Sequence, residues 1–250
     1  MDFKHIKYEV ADGAATITLC RPKALNALTV IMFNEMYAAV QMANEDSDVY
    51  SIVFTGEGRA FCAGLDLKEM QGRDLEPGYV GEVVDKPALK LIAAIEGSSK
   101  PSIGKINGYC FTGALELALC FDFLCVAEEA KLGDTHTKWG LRPTWGMSSR
   151  LPDAVGVRRA REMSYTACTI TGTQAWHWGL ANHVVPLEEL DAKVKQITDG
   201  IAANSAGAVA AFKDLYKNWL TGSVTDGLKF ETSAVYEIDD TNERLGEFAS

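Results

Sequence analysis

The sequence predicts an α/β fold with a helical C-terminal region, and three observations lead there. Short apolar runs ending in glycine alternate with helix-patterned stretches between residues 8 and 150. Two of those runs, residues 50–56 and 100–108, are apolar with little alternation, which suits strands covered on both faces. From Leu151 onward the pattern is largely helical, so strands and helices first interleave and then give way to helix alone.

Taken in order, "YEVADGAATITLCR" (8–21) reads as two strands around Asp12-Gly13, a hairpin signal because both turn residues tolerate positive φ. Residues 28–46 repeat apolar positions at helical spacing, with Thr29 placed to cap the first turn. The strand "YSIVFTG" (50–56) follows, then helical patterns at 64–72 and 85–99. The strand "KPSIGKING" (100–108) has Pro101 near its start, and a helix begins near Gly113 and runs through "ALELALCF". A strand at 122–129 leads into the loop "GDTHTKWG" (133–140), which holds an acid, a histidine, a lysine and a tryptophan. The helical block comprises "VGVRRAREMSYTA", "TGTQAWHWGLA", "LEELDAKVKQITDGIAAN", "GAVAAFKDLYKNWL" and a tail from Val224 to Phe248.

The 24 Lys and Arg residues against 34 Asp and Glu give a formal charge of −10. Such a surface repels phosphate backbones and anionic lipid, which argues against nucleic acid and membrane partners. The pair Arg158-Arg159 does not make a basic patch. None of the six cysteines forms a C-x-x-C pair and most lie in apolar runs, the expectation being free thiols in a reducing compartment. The start "MDFKHIKYEV" has no apolar targeting segment, and no run reaches the ~18 apolar residues of a membrane span. The expectation is a soluble, cytoplasmic protein.

Chemistry concentrates in two loops. "GRAFCAGLDLKEM" (58–70) follows an apolar strand, and its Cys62, Ala63 and Gly64 let a ligand approach the backbone closely. N–H groups exposed at such a turn can hold a developing oxyanion, although an ordinary tight turn has the same composition. In "INGYCFTGALELAL" (106–119) a helix starts at Gly113 with its N–H outward, and Glu116 sits in the first turn among Ala114, Leu115, Leu117 and Ala118. A carboxylate there either has a partner or serves chemistry; the plainer alternative is a solvent-facing acid at a helix N-terminus.

Together, "RAFCAGLDL" and "NGYCFTGALELAL" resemble the signature of the crotonase, or enoyl-CoA hydratase/isomerase, superfamily. The likeness continues in order through "RPKALNAL" (21–28), residues 46–70, 98–133 and 150–186. The resemblance implies a crotonase-like core of repeated ββα units over residues 1–190. It also implies a helical C-terminal region, 191–250, used for trimerisation in a homotrimer or homohexamer. It implies an acyl-CoA thioester as substrate, with coenzyme A part of that substrate, no further cofactor and no metal. The family's oxyanion hole carries over to the backbone N–H groups of Ala63 and Gly113, two donors that would stabilise a thioester enolate. The loop at Lys23, Ala24 and Leu25 would carry the nucleotide end, with Lys68 and Lys213 as weaker phosphate candidates. Gly64, Leu65, Asp66 and Trp145 complete the expected substrate-binding set.

Hydratase members use two glutamates. The first falls on Glu116, and the ungapped register puts His136 at the second, with Asp134 two residues earlier able to orient or charge the imidazole. Histidine transfers protons near neutral pH, so Glu116 and His136 form a candidate acid/base pair for hydration. The departure leaves two alternatives open: a hydrolase or retro-Claisen carbon–carbon cleaving enzyme on the same fold, and a non-catalytic acyl-CoA-binding protein. Trp145, where small residues are usual, implies a reshaped acyl pocket. A serine-protease relative is disfavoured because "GMSSR" offers no nucleophile elbow.

Overall fold

The computed structural model describes residues 2–71, 76–219 and 223–248. The chain opens with β1 (Ile6–Ala11) and β2 (Ala14–Leu19), an antiparallel hairpin turning on Asp12 (φ 50°) and Gly13 (φ 75°). Helix α1 (Val30–Glu45) starts where expected, the Thr29 hydroxyl accepting the Met32 N–H at 3.2 Å. Then come β3 (Ser51–Gly56), β4 (Ala60–Cys62), α2 (Glu82–Glu96), β5 (Ser102–Ile106), β6 (Tyr109–Phe111), α3 (Gly113–Ala118), β7 (Phe123–Ala127) and β8 (Lys131–Gly133). The later part holds α4 (Met147–Val155), α5 (Val157–Thr166), β9 (Ile170–Thr171), α6 (Gly172–His177), β10 (His183–Val185), α7 (Leu190–Ala202), α8 (Ala206–Trp219), α9 (Val224–Ser233) and α10 (Thr241–Phe248).

Two sheets organise these elements. The larger runs β1-β2-β3-β5-β7-β10, parallel from β2 onward. The smaller runs β4-β6-β8-β9, its first three strands parallel. Each of β3, β5 and β7 lies in the first sheet and is followed at once by a short strand of the second, giving the repeat of the expected core. The rings of Phe54 (β3) and Phe121 stack at 4.5 Å, and Phe61 (β4) meets Phe121 edge-on at 6.4 Å, so aromatic packing ties one sheet to the other. Helices α1 and α2 pack on each other, while α7 lies against β3, β5 and β7.

The structure departs from the expected elements in instructive ways. Where a helix is expected over 64–72, the described residues 64–71 form only a 3-10 turn, Leu67–Met70: Gly64 has φ +94°, and the Asp66 carboxylate accepts the Lys68 N–H at 3.1 Å, an Asx contact that competes with helix. Gly72, the end of that expected helix, lies outside the described residues, as do Met1, Leu220, Ala249 and Ser250. The strands β4, β6, β8, β9 and β10 are at most three residues long and leave no periodicity to read. The tail is two helices, α9 and α10, rather than one run.

Candidate active site

Three parallel strands of the smaller sheet deliver their carboxyl ends to one cavity, the edge where α/β sheets hold ligands. Beyond β4 come Ala63 and Leu65; beyond β6 come Thr112, Gly113 and Glu116; beyond β8 come Thr135 and His136. The cavity has a volume of about 110 Å³ and is lined also by Leu67, Val80, Leu141, Thr144 and Trp145.

The first two turns touch. A Cβ on Gly64 would stand 2.7 Å from the Phe111 carbonyl oxygen and 3.5 Å from the Gly113 nitrogen, so glycine permits the approach. Thr112 is held at φ 55°, a costly value for a branched residue. Its N–H donates to the Gly133 carbonyl at 2.9 Å and its hydroxyl pairs with that of Thr135. That conformation launches α3, and Gly113 is its first residue, whose N–H has no carbonyl one turn back within the helix.

Ala63 needs correction as an oxyanion donor. Its N–H already donates to the Leu25 carbonyl at 3.0 Å, while the N–H of Gly64 points to Cys62 Sγ at 3.3 Å and that of Asp66 to the Leu28 carbonyl at 2.9 Å. Among the described residues no acceptor takes the N–H of Leu65 or Gly113, and both residues line the cavity.

The loop at 21–28 is stapled beside this turn. Buried Asn26 (φ 56°) accepts the Arg21 N–H at 2.8 Å and donates to the carbonyls of Glu57 (3.0 Å) and Ala60 (2.8 Å). Arg21 in turn pairs with Asp66 at 2.9 Å, giving Asp66 a structural task. Lys23 is exposed, Ala24 and Leu25 are half-buried, and none of the three lines the cavity. Lys68 is exposed. Lys213 is committed to Asp122 at 2.7 Å and to the Lys100 carbonyl at 3.0 Å, which removes it as a free phosphate ligand.

Glu116 and His136 come together. Both are buried, with His136 Nε2 3.4 Å from Glu116 Oε2. The other Glu116 oxygen accepts the backbone N–H of Trp145 (2.9 Å) and of Met147 (3.3 Å), at the N-terminus of α4. His136 Nδ1 lies 2.7 Å from Asp134 Oδ1, and Asp134 Oδ2 accepts the Ser164 hydroxyl at 2.6 Å from α5. Burial disfavours a charged imidazole, but the hydrogen bonds and charges of Asp134 and Glu116 outweigh it and raise His136 to about 9. Burial pushes the Asp134 carboxyl up, yet the hydrogen bonds from His136 and Ser164 carry it below its ordinary value.

Trp145 lines the cavity beside Gly113. A Cβ on Gly113 would lie 2.6 Å from its ring, and its edge meets Phe33 at 5.3 Å. Its indole N–H donates at 2.8 Å to the buried carboxylate of Asp85 on α2, which also accepts the Thr144 hydroxyl at 2.9 Å. Asp85, Ser164, Asn26 and the Leu65 N–H escape sequence reasoning. An acid on the buried face of an amphipathic α2 was the signal available for Asp85.

Residues 9–247 match the family model described as enoyl-CoA hydratase/isomerase. The chain belongs to that family. It is 37% identical over 219 residues to a probable peroxisomal enoyl-CoA hydratase of Arabidopsis thaliana, covering 88% of this chain and 77% of the relative. A crotonyl-CoA hydratase of Syntrophomonas wolfei is 33% identical, covering 94% of this chain and 89% of the relative. The crystal structure of an enoyl-CoA hydratase from Bacillus anthracis superposes with a TM-score of 0.91 at 32% identity, covering 98% of this chain and 96% of the other. This member of the enoyl-CoA hydratase/isomerase family is thus an acyl-CoA-processing enzyme of the hydratase/isomerase type.

Proposed function

We propose that the enzyme adds water to a short 2-enoyl-CoA thioester. The observation that carries the reading is the Glu116–His136 pair, 3.4 Å apart, in the cavity that Leu65 and Gly113 also line. The thioester oxygen receives the N–H groups of Leu65 and Gly113, the donor pair that replaces Ala63 and Gly113. Glu116 takes a proton from water as its hydroxyl adds to the β-carbon, and the electron pair of the double bond moves to the thioester oxygen as an enolate. The His136 imidazolium gives its Nε2 proton to the α-carbon, and the proton left on Glu116 crosses to His136 Nε2, restoring both groups.

Hydrolysis at the carbonyl is less well served, because it would use Glu116 alone as base and leave the charged His136 without an α-carbon to protonate. A purely binding role leaves the facing proton-transfer pair without use. The reaction as written needs no cofactor beyond the coenzyme A carried by the substrate, and no metal. Consumption of trans-2-enoyl-CoA thioesters of increasing chain length, followed by loss of enoyl absorbance together with free-thiol titration, tests the reading. The expected result is hydration without thiol release, fastest for the shortest chains because the cavity is small, about 110 Å³, and the bulky Trp145 ring lines it. Thiol release as the main event would replace hydration with hydrolysis.

For assembly we infer a homotrimer or a dimer of trimers. Phe212, Tyr216, Leu228 and Leu245 on α8, α9 and α10 are each more than half exposed in the single chain, and burying such apolar surface against another copy is favourable. Light scattering is expected to give three or six protomer masses; one protomer mass contradicts it. No described helix is long and apolar enough to cross a membrane. A cytoplasmic setting is our proposal, in line with bacterial relatives, although others carry peroxisomal or mitochondrial names.

A further inference from the structure

His136 has two ring nitrogens, and only one of them faces the cavity chemistry. Nε2 looks at Glu116 Oε2 (3.4 Å), whereas Nδ1 is 2.7 Å from Asp134 Oδ1. The same Asp134 oxygen also accepts the His136 backbone N–H at 3.2 Å, so side chain and main chain of the histidine are gripped from one atom. The second Asp134 oxygen is turned toward α5, where the Ser164 hydroxyl donates to it at 2.6 Å. A further bond fixes α5 against this loop: the Thr137 hydroxyl donates to the Ser164 carbonyl at 2.7 Å. Asp134 is 2% exposed and does not line the cavity, so substrate does not reach it.

We propose that Asp134 and Ser164 are positioning residues for this enzyme's reaction: Ser164 aims the Asp134 carboxylate, and Asp134 keeps a proton on His136 Nδ1, so that Nε2 alone exchanges protons with substrate and Glu116. This inference rests on the hydration reading above for its catalytic consequence, but the tautomer it assigns stands independently of any activity. A carboxylate on Nδ1 fixes the ring's tautomer and orientation and favours the charged imidazole, the form required to protonate the α-carbon. The charged groups acting on the ring are Asp134, from the loop after β8, and Glu116, from α3; α5 contributes the Ser164 hydroxyl. The proton balance is closed: Nε2 loses one proton to the α-carbon and regains the one that Glu116 took from water, while Nδ1 keeps its own throughout.

The test combines Asp134→Asn, Ser164→Ala and Ser164→Thr in the full-length protein, with two readouts. The first is the pH profile of kcat and KM for trans-2-butenoyl-CoA. The second is ring-nitrogen NMR of His136 across the same pH range, without substrate. In Asp134→Asn the alkaline limb of kcat is expected to move at least about one pH unit lower, with kcat near pH 9 falling about tenfold and KM changing less than about twofold. The His136 ring titration moves with it. Ser164→Ala shifts both in the same direction by less, and Ser164→Thr, which keeps the hydroxyl, restores them. An Nδ1 that carries no proton in the wild-type neutral ring overturns the proposal. So does a His136 titration unmoved in Asp134→Asn. If wild-type protein does not hydrate the thioester while the ring data come out as expected, the hydration reading fails and the tautomer assignment stands.

Discussion

Glu116→Gln lowers hydration of a short 2-enoyl-CoA by about 10²-fold or more while leaving the fold and thioester binding in place. The amide cannot take a proton from water, yet its carbonyl oxygen can still accept the N–H groups of Trp145 and Met147 that hold Glu116 at 2.9 and 3.3 Å. The loss therefore falls on kcat rather than KM. Steady-state kinetics with a thermal melt of the same sample checks both halves. A variant that keeps full kcat removes Glu116 from the mechanism, and one that melts early with lost binding makes its role structural.

His136→Gln is expected to cost about 10²-fold in kcat as well, since an amide N–H is far too weak an acid to protonate the α-carbon. In the wild type the same group sets an alkaline limit. The imidazolium is the acid, and its folded value of about 9 lies above the ordinary 6.5. Activity that depends on it is thus sustained through neutral pH and falls as pH rises through about 9. The contribution of this group to stability has the same sign. It is fully present below about 6.5, where folded and unfolded chains both carry the proton, and is lost as pH rises through about 9. A pH profile with the alkaline limb abolished in His136→Gln confirms the assignment; an unchanged limb assigns it to another group.

Much of the frame could be read before any coordinates. The β1–β2 turn at Asp12-Gly13, the Thr29 cap and the apolar β3 and β5 each declare themselves through local chemistry, and local chemistry is what a sequence displays directly. The pairing of Glu116 with His136 was legible only through the family resemblance, whose ungapped register across the loop puts His136 at the second glutamate position. The oxyanion donor was not. Which N–H of the turn at 63–66 stays free depends on the Leu25 carbonyl occupying that of Ala63 and the Leu28 carbonyl occupying that of Asp66. Those acceptors come from a distant loop held by Asn26, so no local pattern distinguishes Ala63 from Leu65. Trp145 was visible as an oversized residue, but its clasp to Asp85 spans 60 residues and rests on how α2 packs. Ser164 gives no signal at all, being one of several polar residues on the amphipathic α5.

The measurement that tests the central claim most directly is a crystal structure of the protein with a bound short 3-hydroxyacyl-CoA, the product of hydration. The expected result places the thioester oxygen about 3 Å from the nitrogens of both Leu65 and Gly113. The β-hydroxyl then lies within hydrogen-bond reach of Glu116, the α-carbon faces His136 Nε2, and the acyl end stops at Trp145. A thioester oxygen held elsewhere, or an acyl group lying outside the cavity with Glu116 and His136 still bonded only to each other, contradicts the account.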